Sequence, residues 1–144
     1  MSIIKNRYLR FYNAIIVALL ACLGFSCSND PVDEYGTPSA KFIVNGNVSS
    51  EESNEPVRNI RVVMQNDTAY TDQEGNYQVA DNWGFPADQT YIIKFTDIDN
   101  ELNGAYQSID TVVEFNDPEF TGGDGNWYSG ETTKILDIKL TPKK

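Results

Sequence analysis

Three sets of side chains in this sequence could do chemistry. The first is a pair of thiols, Cys22 and Cys27, the only cysteines in 144 residues. Both stand at the end of Ala14 to Phe25, a run of 12 apolar or small residues. A thiol placed there is an acceptor for lipid once the run has been used for export. The second set is acidic. Asp97, Asp99 and Glu101 at i, i+2, i+4 offer oxygens to a hard cation such as Ca²⁺, and Asp72, Glu74 and Asn76 do the same. The third set is aromatic: Trp83, Tyr106, Trp127 and Tyr128 could make a platform for a sugar or a peptide, or cap the open end of a core. Against these stands an absence. There is no histidine, so Ser-His-Asp and Cys-His catalysis and Cys/His zinc sites are excluded. No phosphate loop or GxGxxG appears either. The expectation is a protein without enzymatic activity.

The thiols are positioned by the leader. Lys5, Arg7 and Arg10 form a basic head, the apolar run follows, and small residues precede each cysteine. That is the layout of a cleaved export signal. A membrane-spanning helix needs roughly 20 apolar residues, more than this run supplies. Leu19-Leu20-Ala21 before Cys22 fits the pattern of bacterial lipoprotein processing, and Gly24-Phe25-Ser26 before Cys27 fits it more loosely. Cys27 is preferred, with Cys22 as the alternative. Cutting at Cys22 would leave only roughly ten apolar residues after Arg10 and strand Leu23 and Phe25 on the mature end. The expected organisation is a signal peptide at 1–26, an acidic flexible tether at 27–40 and one domain at 41–144. Lipid chains contribute roughly 0.8 kcal/mol per buried methylene, so a multiply acylated cysteine would hold the body on a membrane without a span. Ser28-Asn29-Asp30 after Cys27 resembles the acidic segment that marks some Gram-negative lipoproteins for the outer membrane. The expected location is therefore the outer membrane, at its periplasmic face or the cell surface.

Three of the 11 basic residues and none of the 21 acidic ones lie in 1–26. The remaining 118 residues thus carry eight basic against 21 acidic side chains, a net charge of −13. Such a surface excludes nucleic acid as a partner and disfavours flat docking on anionic lipid. A protein or a glycan is the partner class left.

The elements that must position the body's side chains are strands. Phe42, Val44 and Val48; Ile60, Val62 and Met64; Tyr77 and Val79; Tyr91, Ile93 and Phe95; Ile109, Thr111, Val113 and Phe115; and Leu136, Ile138 and Leu140 all recur at period 2. Alternation of this kind marks half-buried strands. The predicted fold is all-β, a single antiparallel β-sandwich of about seven strands, immunoglobulin-like or prealbumin-like, after an N-terminal signal helix. Between strands, Thr71 to Tyr77 reads as a hairpin turn, with Asp72 bonding the backbone and Gly75 supplying positive φ. No acid twelve places on completes an EF-hand-type loop there. In the loop from Asp97 to Gly104 the glycine is eighth rather than sixth, which weakens the calcium reading. Residues 116–130 form the longest loop, hence the best candidate for a functional surface.

Two nested resemblances carry this further. Phe42-Ile43-Val44-Asn45-Gly46-Asn47-Val48, then Pro56 to Val62, then Thr71-Asp72 and Gly75-Asn76-Tyr77, resemble the carboxypeptidase-regulatory-like (transthyretin-like) β-sandwich. The whole mature chain resembles the radical SAM-associated lipoprotein family through Tyr35-Gly36-Thr37-Pro38, Phe95-Thr96-Asp97-Ile98-Asp99, Asn103-Gly104 and Trp127-Tyr128-Ser129-Gly130. The second resemblance implies a small lipoprotein that accompanies, or is a client of, a radical SAM enzyme. Members can carry a cysteine before the Tyr-Gly motif, where this chain has Glu34. Three functions follow as expectations: a lipid-anchored binding or assembly module, an accessory or client of a radical SAM enzyme, or a calcium-dependent carbohydrate-binding module using Trp127, Tyr128 and the Asp97–Glu101 loop.

Overall fold

Alternating burial organises residues 36–144. The computed structural model describes residues 8, 11–18, 36–102 and 104–144. Cys22, Cys27, most of the expected tether and the Glu101 side chain lie outside the described residues. The chain divides into two compact units, Met1–Tyr35 and Gly36–Lys144. In the first, residues 11–18 are helical. Among the described residues no helix is long and apolar enough to cross a membrane.

The second unit is all-β and built from two sheets. Its strands are β1 (Ser39–Ser50), β2 (Ile60–Met64), β3 (Asp67–Tyr70), β4 (Asn76–Gly84), β5 (Gln89–Asp97), β6 (Ile109–Phe115), β7 (Thr121–Gly122), β8 (Tyr128–Ile135) and β9 (Ile138–Leu140). One sheet runs β4-β1-β8-β7, with β9 also paired to β1. The other runs β3-β2-β5-β6. Most predicted core positions are buried: Phe42, Val44, Val48, Ile60, Val62, Met64, Val79, Tyr91, Ile93, Phe95, Val113 and Phe115 lie in one core between the sheets, whereas Ile109 at the start of β6 is exposed.

Three features differ from the sequence expectation. Among the described residues there are nine strands rather than about seven, and β1 begins at Ser39, so the last two residues of the expected tether are strand. The sandwich is also not wholly antiparallel, because β1 pairs in parallel with β8 and then with β9. Side-chain alternation carries no information about strand direction, and β8 barely alternates at all. Lastly, Thr71–Tyr77 is not a hairpin within one sheet. β3 belongs to one sheet and β4 to the other, so the turn is a corner between them. Its chemistry is as expected. The Asp72 carboxylate accepts the N–H groups of Glu74 and Asn76 at 3.0 and 2.8 Å, and Gly75 has φ +76°.

Two tyrosines tie buried rings to polar partners. Tyr77 donates its hydroxyl to the Leu136 carbonyl at 2.7 Å, and Tyr91 donates to Asp81 at 3.1 Å. Burial, then the charge of Asp137, pushes the Tyr77 hydroxyl pKa up. Burial, then the charge and hydrogen bond of Asp81, does the same for Tyr91. A raised folded pKa favours the protonated phenol. Its contribution is full below the unfolded value of about 10 and is lost as pH rises past it. The melting temperature is therefore expected to fall steeply above about pH 10, and Tyr77→Phe is expected to flatten that fall. A profile that stays level to pH 12 would contradict both attachments.

Candidate functional site

Among the described residues, the most exposed large apolar side chain of the second unit is Trp83, at 83% of its free surface. It is exposed by construction. Ala40 pairs with Gly84 and Phe42 with Asp81, so β4 carries one extra residue against β1 there. Such a bulge breaks the alternation and re-aims side chains. Asn82 and Trp83 consequently both face solvent, while Gly84 turns inward. A methyl at Gly84 would stand 2.5 Å from the Phe42 ring and 2.8 Å from the Tyr91 hydroxyl, so the register cannot slide. Asp81 holds the bulge, accepting the Trp83 N–H at 3.1 Å on one oxygen and the Tyr91 hydroxyl at 3.1 Å on the other.

Trp83 forms one wall of a groove of about 250 Å³ lined by Gln65, Asn66, Asp67, Ala80, Asp81 and Asn82. Gln65 and Asn66 are the two-residue turn joining β2 to β3, since Met64 pairs with Asp67. Asp67 ties this turn to β4, accepting the N–H groups of Thr68 at 2.9 Å and Ala80 at 2.8 Å. The amides of Gln65, Asn66 and Asn82 make no side-chain hydrogen bond within the described residues. Gln65 sits at φ +51°, a conformation that hairpin turns ordinarily give to Gly, Asn or Asp.

Trp127 is half-exposed, and its backbone carbonyl accepts the Ser39 N–H at 2.8 Å. Its ring covers Gly36, where a methyl would come within 2.7 Å of the indole. Trp127 thus pins the segment leading into β1. Tyr128 starts β8 opposite Ser39. Asp124 closes that loop by accepting the N–H groups of Asn126 and Tyr128 at 2.8 and 3.1 Å. Trp83, Trp127 and Tyr128 therefore share the Ser39 end of β1. Tyr106 does not. It bridges to Pro142, just past β9, at the Ser50 end, roughly 35 Å away along the 12-residue strand. The four aromatics are not one platform.

The acidic loop is also at the Ser50 end, so it does not meet Trp127 and Tyr128. Asp97 is buried, and its carboxylate accepts three backbone N–H groups, from Asp99 at 3.2 Å, Asn100 at 2.9 Å and Tyr106 at 2.8 Å. Asp99 accepts the Asn59 side-chain amide at 3.0 Å. Asp97 is a clamp on its own loop, and a cation there would have to displace those donors. Among the described residues no three His, Cys, Asp or Glu side chains are placed to hold a metal ion.

No protein-family model matches the chain, and no curated protein matches it. The site must be read from its own chemistry. Sequence reasoning missed Gln65, Asn66 and Asn82 around Trp83. It also missed Phe85, two residues beyond Trp83 and 55% exposed. The one available signal was the break in alternation after Val79, where Asp81-Asn82-Trp83 has no period-2 partner.

Proposed function

We propose that this chain is a lipid-anchored, non-enzymatic module of the cell envelope. Its transthyretin-like sandwich holds a ligand at the Ser39 end, and the acylated Cys27 holds the sandwich at the outer membrane. The observation that carries the binding reading is the Trp83 groove. A large indole is left uncovered at 83% of its free surface, beside three side-chain amides that make no hydrogen bond within the described residues. Aromatic surface with a few convergent polar groups in one groove is the usual make-up of a ligand site. The anchor reading is supported by the basic head, the short apolar run and the cysteine that closes it.

Intact mass of the membrane-extracted protein tests the anchor, with Cys27→Ala as control. The expected product begins at Cys27, carries a diacyl or triacyl mass, and is replaced by unlipidated protein in the control. A soluble wild-type chain without lipid would reject the anchor. A further mass on the mature chain, beyond lipid, would favour the role as client of a radical SAM enzyme.

A further inference from the structure

We propose that the Trp83 groove binds a neutral saccharide, with the indole stacked on one sugar ring and the amides of Gln65, Asn66 and Asn82 meeting its hydroxyls. This rests on the binding-module reading above and supplies its ligand class. Four observations converge on it.

The first is the pairing of an aromatic face with amides. A pyranose ring has an apolar C–H face and a hydroxyl rim. An exposed indole supplies rigid apolar surface to the former. Each side-chain amide offers two donors and an acceptor, which suits hydroxyls that both give and accept. The second is charge. The groove is lined by Asp67 and Asp81 and by no cation, in a chain of net charge −10. Phosphate, sulfate and uronate ligands are repelled, whereas a neutral sugar is not. The third is size. At about 250 Å³ the groove is smaller and more open than a pocket that engulfs a drug-sized molecule. It fits one ring of a longer chain lying across it, and the exposed Phe85 beyond Trp83 provides further apolar surface for a neighbouring unit. The fourth is backbone strain. Gln65 is kept at φ +51° where glycine would sit without strain, and strained positions gather at binding sites.

A peptide fits less well. Peptides that join a sheet edge need free backbone groups. At the groove the Ala80 N–H of β4 is already taken by Asp67.

Tryptophan emission gives a direct test, since the chain has only two tryptophans. In the full-length, detergent-extracted Trp127→Phe protein, Trp83 is the sole reporter. Dextran, laminarin and yeast mannan serve as neutral probes, polygalacturonate as the anionic one, and a tryptic digest of gelatin, which contains no tryptophan, as the peptide one. The expected result is a saturable blue shift and protection from acrylamide with at least one neutral polysaccharide, and none with polygalacturonate. The same polysaccharide should retard the wild-type protein in affinity electrophoresis. Trp83→Ala should abolish that retardation at an unchanged melting temperature, and Asn66→Ala with Asn82→Ala should weaken it at least tenfold. Silence from all three neutral probes, or retardation that survives Trp83→Ala, overturns the proposal. A shift produced only by the gelatin digest also overturns the saccharide, while leaving the binding module standing.

Discussion

Phe42→Ala is expected to lower the stability of the β-sandwich by about 3–5 kcal/mol, the usual cost of emptying a buried phenylalanine site. Phe42 is fully buried on β1, and its ring is where the two sheets meet. It packs against Tyr91 at 5.6 Å between ring centroids, against Phe115 at 5.1 Å and against Phe120 at 5.5 Å. The last two contacts are edge-to-face, an arrangement that adds about 0.5–1.5 kcal/mol per pair beyond burial alone. Few routes exist for collapse into the space left behind. Gly84 faces the ring from one side with no side chain to move, and Tyr91 is fixed by Asp81. Whole domains are stable by only about 5–15 kcal/mol, so this loss is a large share. Urea denaturation of Phe42→Ala and Phe42→Leu reads it directly. Phe42→Leu should retain more than half of the lost stability. A Phe42→Ala cost below about 1 kcal/mol would mean that the site refills, and that the inter-sheet packing is looser than the ring distances imply.

The same ring links stability to the candidate site. Phe42 and the Tyr91 hydroxyl fill the space that keeps Gly84 turned inward, and the inward Gly84 leaves Trp83 facing out. Softening the core here should blur the groove before the fold is lost.

How much of this was legible in the sequence depends on which physical signal each residue emits. Period-2 alternation located the cores of β2, β5 and β6, because each is buried on one face only, whereas in β1 Ile43 is buried along with Phe42 and Val44. Asp72 and Gly75 announced their corner, since turn chemistry is local. Strand β8 was silent. Tyr128 to Ile135 reads Tyr-Ser-Gly-Glu-Thr-Thr-Lys-Ile, and only Gly130 within it is buried. Its place is set by main-chain pairing to β1, which no side-chain pattern encodes. The separation of Tyr106 from Trp127 was invisible for the same reason. It follows from which end of β1 each partner strand reaches. Trp83 was legible as an aromatic, but its partners were not. Gln65 and Asn66 come from the turn of another sheet, tied to β4 by the hydrogen bond from the Ala80 N–H to Asp67.

Gly46→Ala is expected to cost about 3 kcal/mol or more, through overpacking and a displaced hydrogen bond together. Strand β1 changes partner at this residue. It pairs with β8 as far as Asn45 and with β9 from Val48, and the connecting residues Leu136 and Asp137 cross it in between. The crossing is held on both sides. Leu136 donates its N–H to the Asn45 carbonyl at 2.8 Å, and Asp137 accepts the Asn47 N–H at 2.9 Å. A methyl on Gly46 would overlap the Leu136 carbonyl group, 2.5 Å from its carbon, which is backbone and cannot swing aside like a side-chain tip. That carbonyl also accepts the Tyr77 hydroxyl. Relief of the clash therefore moves the crossing, strands a buried phenol and loosens the pairing of β9. Tyr77→Phe removes only the last of these bonds and should cost about 1 kcal/mol. Both changes act through one carbonyl, so the double variant should be less destabilised than the sum of the two singles. Denaturant unfolding of all four proteins completes the cycle. Strict additivity, or a Gly46→Ala cost no greater than that of Tyr77→Phe, would show that the glycine is there for some reason other than the crossing.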